Sequence, residues 1–482
     1  MLTRRTLIEN TLKISAGFAL TPRAVSFGDE SVLLTLKLGN AAPVSIPANF
    51  TGLGYEMSSV AAPGLLSTTN SRYVDLIKGL GSEGVLRAGG IVANYTRYEP
   101  NGIISAERKN TVITRARLGQ FAAFLKRIGW TAIWSVNFAQ GSIEAAVEEA
   151  RAVADVLGSR LLALEIGNEV DSYSKGQPFR SSSYDYETYR KEYTEWHAAI
   201  LKAVPHIRFA APDTAKSVEW VERMAQDEKG DVQLLTTHYY RNDQKRGTSE
   251  QLLVPDPRLH NILERLRTAS ERSGIPWRMC ETNSFSGGGR PGVSDTFIGA
   301  LWTLDYMLLL ATYGCSGVNI ETGTNQLGFT SSYSPIQEDG KGLNTAGVPY
   351  YGMLAFAAAL TEGRQILPID LDNHGMNLTA YVLGTAGKPR CAVVVNKDSS
   401  HDAHVSIAEL GMGEVSALRL LSPTPDSTAG VTFAGSAVNT EGRWSANSKE
   451  RIRDGNVAVP HMSAVVLRSA NQRDRGVRHS AG

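Results

Sequence analysis

Residues 161–170 read LLALEIGNEV. Four apolar residues lead into a glutamate, an Ile-Gly-Asn step follows, and a second glutamate comes before the closing valine. So apolar a run predicts a buried strand, and buried strands rarely carry carboxylates. Glu165 and Glu169 share strand parity, so both are expected to point into one interior at different depths. A carboxylate held as deep as Glu165 needs a cation. Arg87, in the stretch VLRAGG, is the expected partner.

The same pattern recurs on either side. Short apolar strands are predicted at 51–58 (TGLGYEMS), 84–90 (GVLRAGG), 131–137 (TAIWSVN) and 208–213 (RFAAPD). Others follow at 231–240 (DVQLLTTHYY), 277–283 (WRMCETN) and 314–322 (GCSGVNIET). Amphipathic stretches such as SIEAAVEEARAVADVLG separate them. Parallel strands need crossover helices, and eight strand–helix pairs can close on themselves, so residues 51–367 are expected to form a (β/α)8 TIM barrel. A doubly wound open sheet is the alternative, disfavoured by the count of eight. From 368 to 468 the pattern changes to strands and turns, as in RCAVVVNKD, which predicts an antiparallel β-sandwich. Strands within 27–50 are expected to join that sandwich from the N-terminal side. Residues 469–482 are expected to be disordered.

The 482 residues are 42% hydrophobic and 20% charged, with a net charge of +1. That balance argues against strong attraction to nucleic acid or anionic membrane. The stretch at 296–314 (TFIGALWTLDYMLLLATYG) has the look of a membrane span, but Asp305 at its centre would be costly in lipid. A helix packed against the barrel is expected instead. The start, MLTRRTLIENTLKISAGFAL, resembles a twin-arginine export signal over 1–26, which implies a periplasmic or secreted protein. Cys280, Cys315 and Cys391 form no CxxC and no disulfide framework. HExxH, GxSxG and P-loop patterns are absent. Gly287 to Gly292 match GxGxxG in letters only, because Pro291 interrupts them and no strand–glycine–helix unit surrounds them. No cofactor and no metal are expected, and a monomer is expected.

Active sites of closed barrels lie at the C-terminal ends of the strands. Those ends carry Glu56, Asn94, Asn168-Glu169, His238-Tyr239-Tyr240, Glu281-Thr282-Asn283 and Glu321. Two glutamates, on the fourth and seventh strands, face one mouth. This is the pairing a retaining glycosidase needs, one acid/base and one nucleophile about 5–5.5 Å apart.

LEIGNEV, CETNSFSGGG, LLTTHYY and VLRAGG resemble the motifs of glycoside hydrolase family 79, the β-glucuronidase and heparanase family of clan A, nearest its bacterial exo-β-glucuronidases. The likeness spans nearly the whole chain. It implies Glu169 as acid/base, Glu281 as nucleophile, Asn168 on the sugar 2-hydroxyl and Tyr239 donating to Glu281. It also implies Glu56 on sugar hydroxyls, Gly287 and Gly288 offering amides to a uronate carboxylate, and Tyr350 (or its neighbour Tyr351) on that carboxylate. Two positions depart from the pattern. Val170 stands where the clan commonly has proline, and Glu321 ends the eighth strand. An ionised Glu321 would repel a uronate unless Arg290 or Lys341 pairs with it.

The implied activity is a retaining exo-β-glucuronidase acting on terminal (4-O-methyl-)glucuronic acid in glycans or glycoconjugates. Three alternatives stand beside it. An endo-acting, heparanase-like enzyme would need an open cleft and basic subsites. Another clan A exo-glycosidase, such as a β-xylosidase, would use the same two glutamates. A non-catalytic glycan-binding protein would be expected to have lost one of them.

Overall fold

The computed structural model describes residues 33–175, 178–323, 331–339 and 342–470. The stretch read as an export signal, Lys341 and the chain beyond 470 lie outside these. Eight parallel strands close a barrel: β1 Thr51–Glu56, β2 Val85–Gly89, β3 Thr131–Val136, β4 Leu161–Ile166, β5 Phe209–Thr214, β6 Leu234–Asp243, β7 Trp277–Ser286 and β8 Val318–Glu321. Around them lie α1 Ser71–Gly79, α2 Arg115–Ile128, α3 Ile143–Leu157, α4 Tyr186–Ala203, α5 Val218–Asp227, α6 Pro257–Ser273, α7 Phe297–Thr312 and α8 Val348–Leu360. The expected barrel is the one observed.

Side-chain alternation explains the closure. Val85, Ile133, Ala163, Ala210, Leu234 and Cys280, one from each of six strands, pack together as a small cluster of their own inside the barrel. Their sequence neighbours Leu86, Leu164, Leu235 and Met279 point the other way, into the large core beneath the helices. Each strand thus buries both faces, as parallel barrel strands must. Helix starts are marked by side-chain caps: Asn70, Thr114, Ser142, Asp185, Ser217 and Asp256 each accept a backbone N–H from the first turn.

Two register breaks matter for the site. Between β5 and β6, Pro212 pairs Thr236 while Thr214 pairs Thr237, which leaves Asp213 as an extra residue at φ 60°. Between β6 and β7, Thr237 pairs Met279 while His238 pairs Glu281, which leaves Cys280 extra. One-residue bulges of this kind re-aim the side chains that follow. Beyond the mouth, β6 and β7 stay paired as far as Asp243 and Ser286 and raise a two-stranded wall beside the opening.

The second unit is a sandwich with a core of its own, containing Leu34, Val382, Val394, Val405, Val457 and Val465. Both ends of the chain build it, as expected. Val44–Ser45 pairs antiparallel with Gln365–Leu367 in its large sheet. Leu33–Thr35 pairs with Ala403–Ser406 in its small one, and this pairing is parallel. Helix α7 is the apolar stretch around Asp305. Asp305 faces the sandwich, where Lys397 Nζ (2.5 Å), Thr379 Oγ1 (2.6 Å) and the Tyr381 hydroxyl (2.7 Å) all donate to it. The carboxylate is a barrel–sandwich joint. Among the described residues, no helix is long and apolar enough to cross a membrane.

Candidate active site

Arg87 stands at the centre of the upper barrel, fully buried. Its Nε donates to Glu165 Oε2 at 2.9 Å and its Nη1 to Glu281 Oε2 at 2.8 Å. Its Nη2 donates to Asn168 Oδ1 at 2.8 Å and to Asp213 Oδ2 at 2.6 Å. One guanidinium therefore binds side chains from β4, β5 and β7 and from the turn after β4, which a lysine ammonium could not do with the same fixed geometry. The strand makes room for it at Gly89, where a Cβ would fall 2.7 Å from Arg87 Cζ. The expected Arg87–Glu165 contact is present. Burial pushes the Glu165 carboxyl up to about 7 against the pull of Arg87, and Ser135 Oγ donates to it at 2.5 Å.

Strand β4 ends at Ile166, so strand parity does not reach Glu169. A turn aims that side chain instead. Gly167 takes φ 97° and Glu169 takes φ 52°, both left-handed, and glycine makes the first of these cheap. The Tyr173 hydroxyl donates to Asn94 Oδ1 at 2.9 Å and accepts from Asn168 N at 3.4 Å, which props the turn from below. With Asn168 Oδ1 held by Arg87, Asn168 Nδ2 is a buried donor with no protein acceptor among the described residues.

Glu281 is aimed inward by the bulge at Cys280. One oxygen each of Glu169 and Glu281 and one ring nitrogen of His238 lie within 4.8 Å of one another. The Glu169 side chain is 24% exposed and that of Glu281 is 12%, so both open to the mouth. His238 Nδ1 lies 3.3 Å from Glu169 Oε1, and its Nε2 lies 3.0 Å from Asp213 Oδ1. Burial raises the Glu169 pKa; His238 opposes the rise and the charge on Glu281 adds to it. Burial works against a charge on His238, yet Asp213, Glu281 and Glu169 hold its pKa well above the ordinary value.

The hydroxyl on Glu281 belongs to Tyr240, at 3.0 Å from Oε1, and this corrects the expectation for Tyr239. Parity on β6 is the reason. Leu234 points inward, so His238 and Tyr240 do too, whereas Tyr239 points out, stacks on Tyr306 of α7 and donates to Asp256 at 2.6 Å. The expectation for Tyr350 is corrected as well. Its hydroxyl donates to Leu76 O of α1 at 2.7 Å, and the Tyr351 hydroxyl accepts from Val438 N at 3.1 Å. Both serve packing of α8. Tyr333 is the aromatic at the mouth that the sequence did not single out: its ring stacks on Tyr240 at 6.4 Å and lies in the field of Glu321, Glu281 and Glu56.

Glu56 and Glu321 line the β8–β1 side of the mouth. Val92 N donates to Glu56 Oε2 at 2.8 Å. Burial first, then the charge of Glu281, lifts Glu56 to about 8. Burial, Glu281 and Glu56 lift Glu321 well above the carboxylate range. Both shifts favour the protonated acids on this side, which weakens the anticipated repulsion toward an anion. Arg290 points elsewhere, donating to Lys245 O and Gly247 O. Past β7, Gly287, Gly288 and Gly289 take φ of 82°, 98° and 80°, a run that side chains with a Cβ would strain.

A cleft of about 800 Å3 leads outward from Glu169, His238 and Tyr240. Farther out it is lined by Lys216, Arg241, Arg246, Arg258 and Arg265, a basic run not foreseen in the sequence. Acids temper it: Asp256 pairs with Arg241 and Arg258, Asp243 with Arg246, and Glu222 with Arg265. Glu169, His238 and Glu281, and separately Glu165, Asp213 and Cys280, have the spacing of cation ligands. Arg87 already places a fixed cation on Glu281, Glu165 and Asp213, so a metal would have to displace it.

The closed eight-stranded barrel joined to a sandwich is a clan A-like glycosidase fold, here with one glutamate in the turn after β4 and another within β7. Comparison with known proteins agrees. The chain is 25% identical to a β-glucuronidase of Aspergillus niger over 423 aligned residues, 75% of this chain and 76% of that one. It is 27% identical to a β-glucuronidase of Neurospora crassa over 233 residues, 42% of this chain and 40% of that one. The structure of a 4-O-α-L-rhamnosyl-β-D-glucuronidase from Fusarium oxysporum 12S superposes with a TM-score of 0.75 at 17% identity, covering 90% of this chain and 100% of that one. No family model matches the chain.

Proposed function

We propose that this chain is a retaining exo-β-glucuronidase of the family 79 type, which removes terminal glucuronic acid from glycans or glycoconjugates. The observation that carries the reading is the Glu169–Glu281 pair, with carboxylate oxygens within 4.8 Å of each other. That closeness supports double displacement over the wider separation an inverting enzyme uses to admit a water. Glu281, oriented by Arg87 and the Tyr240 hydroxyl, attacks the anomeric carbon. The glycosidic C–O bond breaks as Glu169 passes its proton to the leaving oxygen. Glu169 then takes a proton from water, whose oxygen displaces Glu281 from the glycosyl ester. Asn168 Nδ2 is placed to donate to the sugar 2-hydroxyl.

The uronate preference draws support from the names of the two fungal relatives, from the upward pKa shifts of Glu56 and Glu321, and from the adjacent Gly287 and Gly288 amides, which can cradle a carboxylate. The test is hydrolysis of aryl β-glucuronide beside aryl β-glucoside and aryl β-xyloside. Faster turnover of the neutral sugars would sink the uronate reading, and a first-formed α-hemiacetal would sink retention. A second reading, endo action on a longer acidic glycan, is favoured by the basic cleft outside Glu169. Release of oligosaccharides rather than monosaccharide would decide for it. The twin-arginine-like start supports export, which a shortened N-terminus on periplasmic protein would bear out.

A further inference from the structure

Asp213 bonds both arms of the site. Its Oδ2 accepts from Arg87 Nη2 at 2.6 Å, and the same guanidinium donates to Glu281. Its Oδ1 lies 3.0 Å from His238 Nε2, and the other nitrogen of that ring lies 3.3 Å from Glu169 Oε1. The residue is 1% exposed and both of its oxygens are engaged, by Arg87 and by His238, so a sugar would not touch it. It reaches this position only because the bulge on β5 turns it inward at φ 60°.

We propose that Asp213 is a positioning residue that holds His238 as a two-donor imidazolium and through it governs the proton on Glu169. The inference rests on the reading of Glu169 as the general acid. With Nε2–H committed to Asp213, only Nδ1 faces Glu169. A neutral ring would accept there from the carboxylic acid and draw its proton away from the substrate. An imidazolium donates to Oε1, which places the transferable proton of Glu169 on Oε2. The nearby positive charge also makes that proton easier to release. A buried carboxylate on the far side of the ring selects the imidazolium.

The groups that face His238 are Asp213 on β5, Glu169 after β4 and Glu281 on β7 at 3.9 Å, with Arg87 on β2 and Glu321 on β8 farther off. Asp213 itself faces Arg87, His238, Glu165 and Cys280. In the first step the proton leaves Glu169 Oε2 for the glycosidic oxygen, which keeps the electron pair of the broken bond, while a Glu281 oxygen bonds the anomeric carbon. When the ester forms, Glu281 becomes neutral and Asp213 remains the fixed charge behind His238.

The test compares two β-glycosides of one sugar that the wild-type chain turns over, one with a 2,4-dinitrophenyl leaving group and one with an alkyl leaving group. The first departs without protonation and the second does not. Asp213→Asn should lose on the order of 10²-fold in kcat/KM on the alkyl glycoside and less than about 10-fold on the dinitrophenyl one, the range general acid catalysis spans. Its alkaline limb should move up. His238→Gln removes the ring, leaves the Asp213–Arg87 pair in place, and should show the same split; it carries the test if Asp213→Asn does not fold. In wild type, 15N spectra near pH 7 should show both His238 nitrogens protonated. Equal losses on the two glycosides, or a neutral ring, overturn the inference alone. A wild-type chain that turns over no β-glycoside overturns the reading of Glu169 on which it rests.

Discussion

Arg87 Nε and Glu165 Oε2 meet at 2.9 Å with neither side chain exposed to solvent, and the same guanidinium reaches Glu281 at 2.8 Å. A structural ion pair and the candidate nucleophile thus share one cation. Arg87→Lys should keep a positive charge yet fail to span its four acceptors. Activity on any glycoside should fall about 10²-fold or more, as misplacement of a reacting group does. Kinetics beside a thermal melt check this. Near-normal turnover would show that the charge alone suffices.

Tyr240→Phe removes a hydroxyl that donates to the Glu281 carboxylate. A hydrogen bond to a charged group is worth about 1.5–3 kcal/mol, so kcat/KM should fall about 10- to 10²-fold. Tyr239→Phe leaves Glu281 untouched and should cost stability near Asp256 with little effect on rate. The two variants, assayed together, separate the neighbours. A larger loss from Tyr239→Phe would reverse the assignment.

Glu56 is held near 8 chiefly by burial. A carboxyl whose pKa rises on folding keeps its proton in the folded chain at pH values where the unfolded chain has released it. Its stabilising effect is therefore greatest at low pH and fades as pH climbs from about 4.5 to about 8. Melting temperature should fall across that window. Glu56→Gln, which cannot ionise, should flatten the fall. An unchanged slope would mean that Glu56 is ionised in the folded chain.

The Asp305–Lys397 pair joins α7 to the sandwich with both groups largely buried. Lys397→Met leaves a buried carboxylate without its cation and should cost about 3–5 kcal/mol, read from denaturant unfolding. The double change Asp305→Leu with Lys397→Met should recover much of that loss. Burial opposes the Asp305 charge, but Lys397, Thr379 and Tyr381 lower its pKa below the ordinary value. Its contribution is thus present above the usual carboxylate range and is lost as pH falls through the lowered value.

Alternation made part of this site legible. The apolar run before Glu165 fixed its direction, and Arg87, two residues after inward Val85, had to meet it. The same counting on β6, from Leu234 inward, puts Tyr240 rather than Tyr239 in the mouth, so that signal was present and unused. Glu281 and Asp213 are different. Each points inward because one extra residue breaks the alternation, and a bulge depends on the partner strand, which local sequence does not display. The tyrosines of α8 also lay beyond reach, because both faces of that helix are apolar and buried, leaving no pattern to orient Tyr350. The basic cleft went unseen because its cations come from β6, the loop after it, α6 and the loop before α5.

The bulges at Asp213 and Cys280 carry a consequence for length changes. Deleting Cys280 would restore unbroken pairing between β6 and β7 and keep the hydrophobic content of the barrel nearly intact. Glu281 would then follow outward-facing Met279 directly, opposite His238 as before, and keep its inward aim. The bulge is slack in the strand: the mouth receives the same carboxylate with the extra residue or without it, and what Cys280 itself adds is a small side chain packed with Val85, Ile133 and Ala210 inside the barrel.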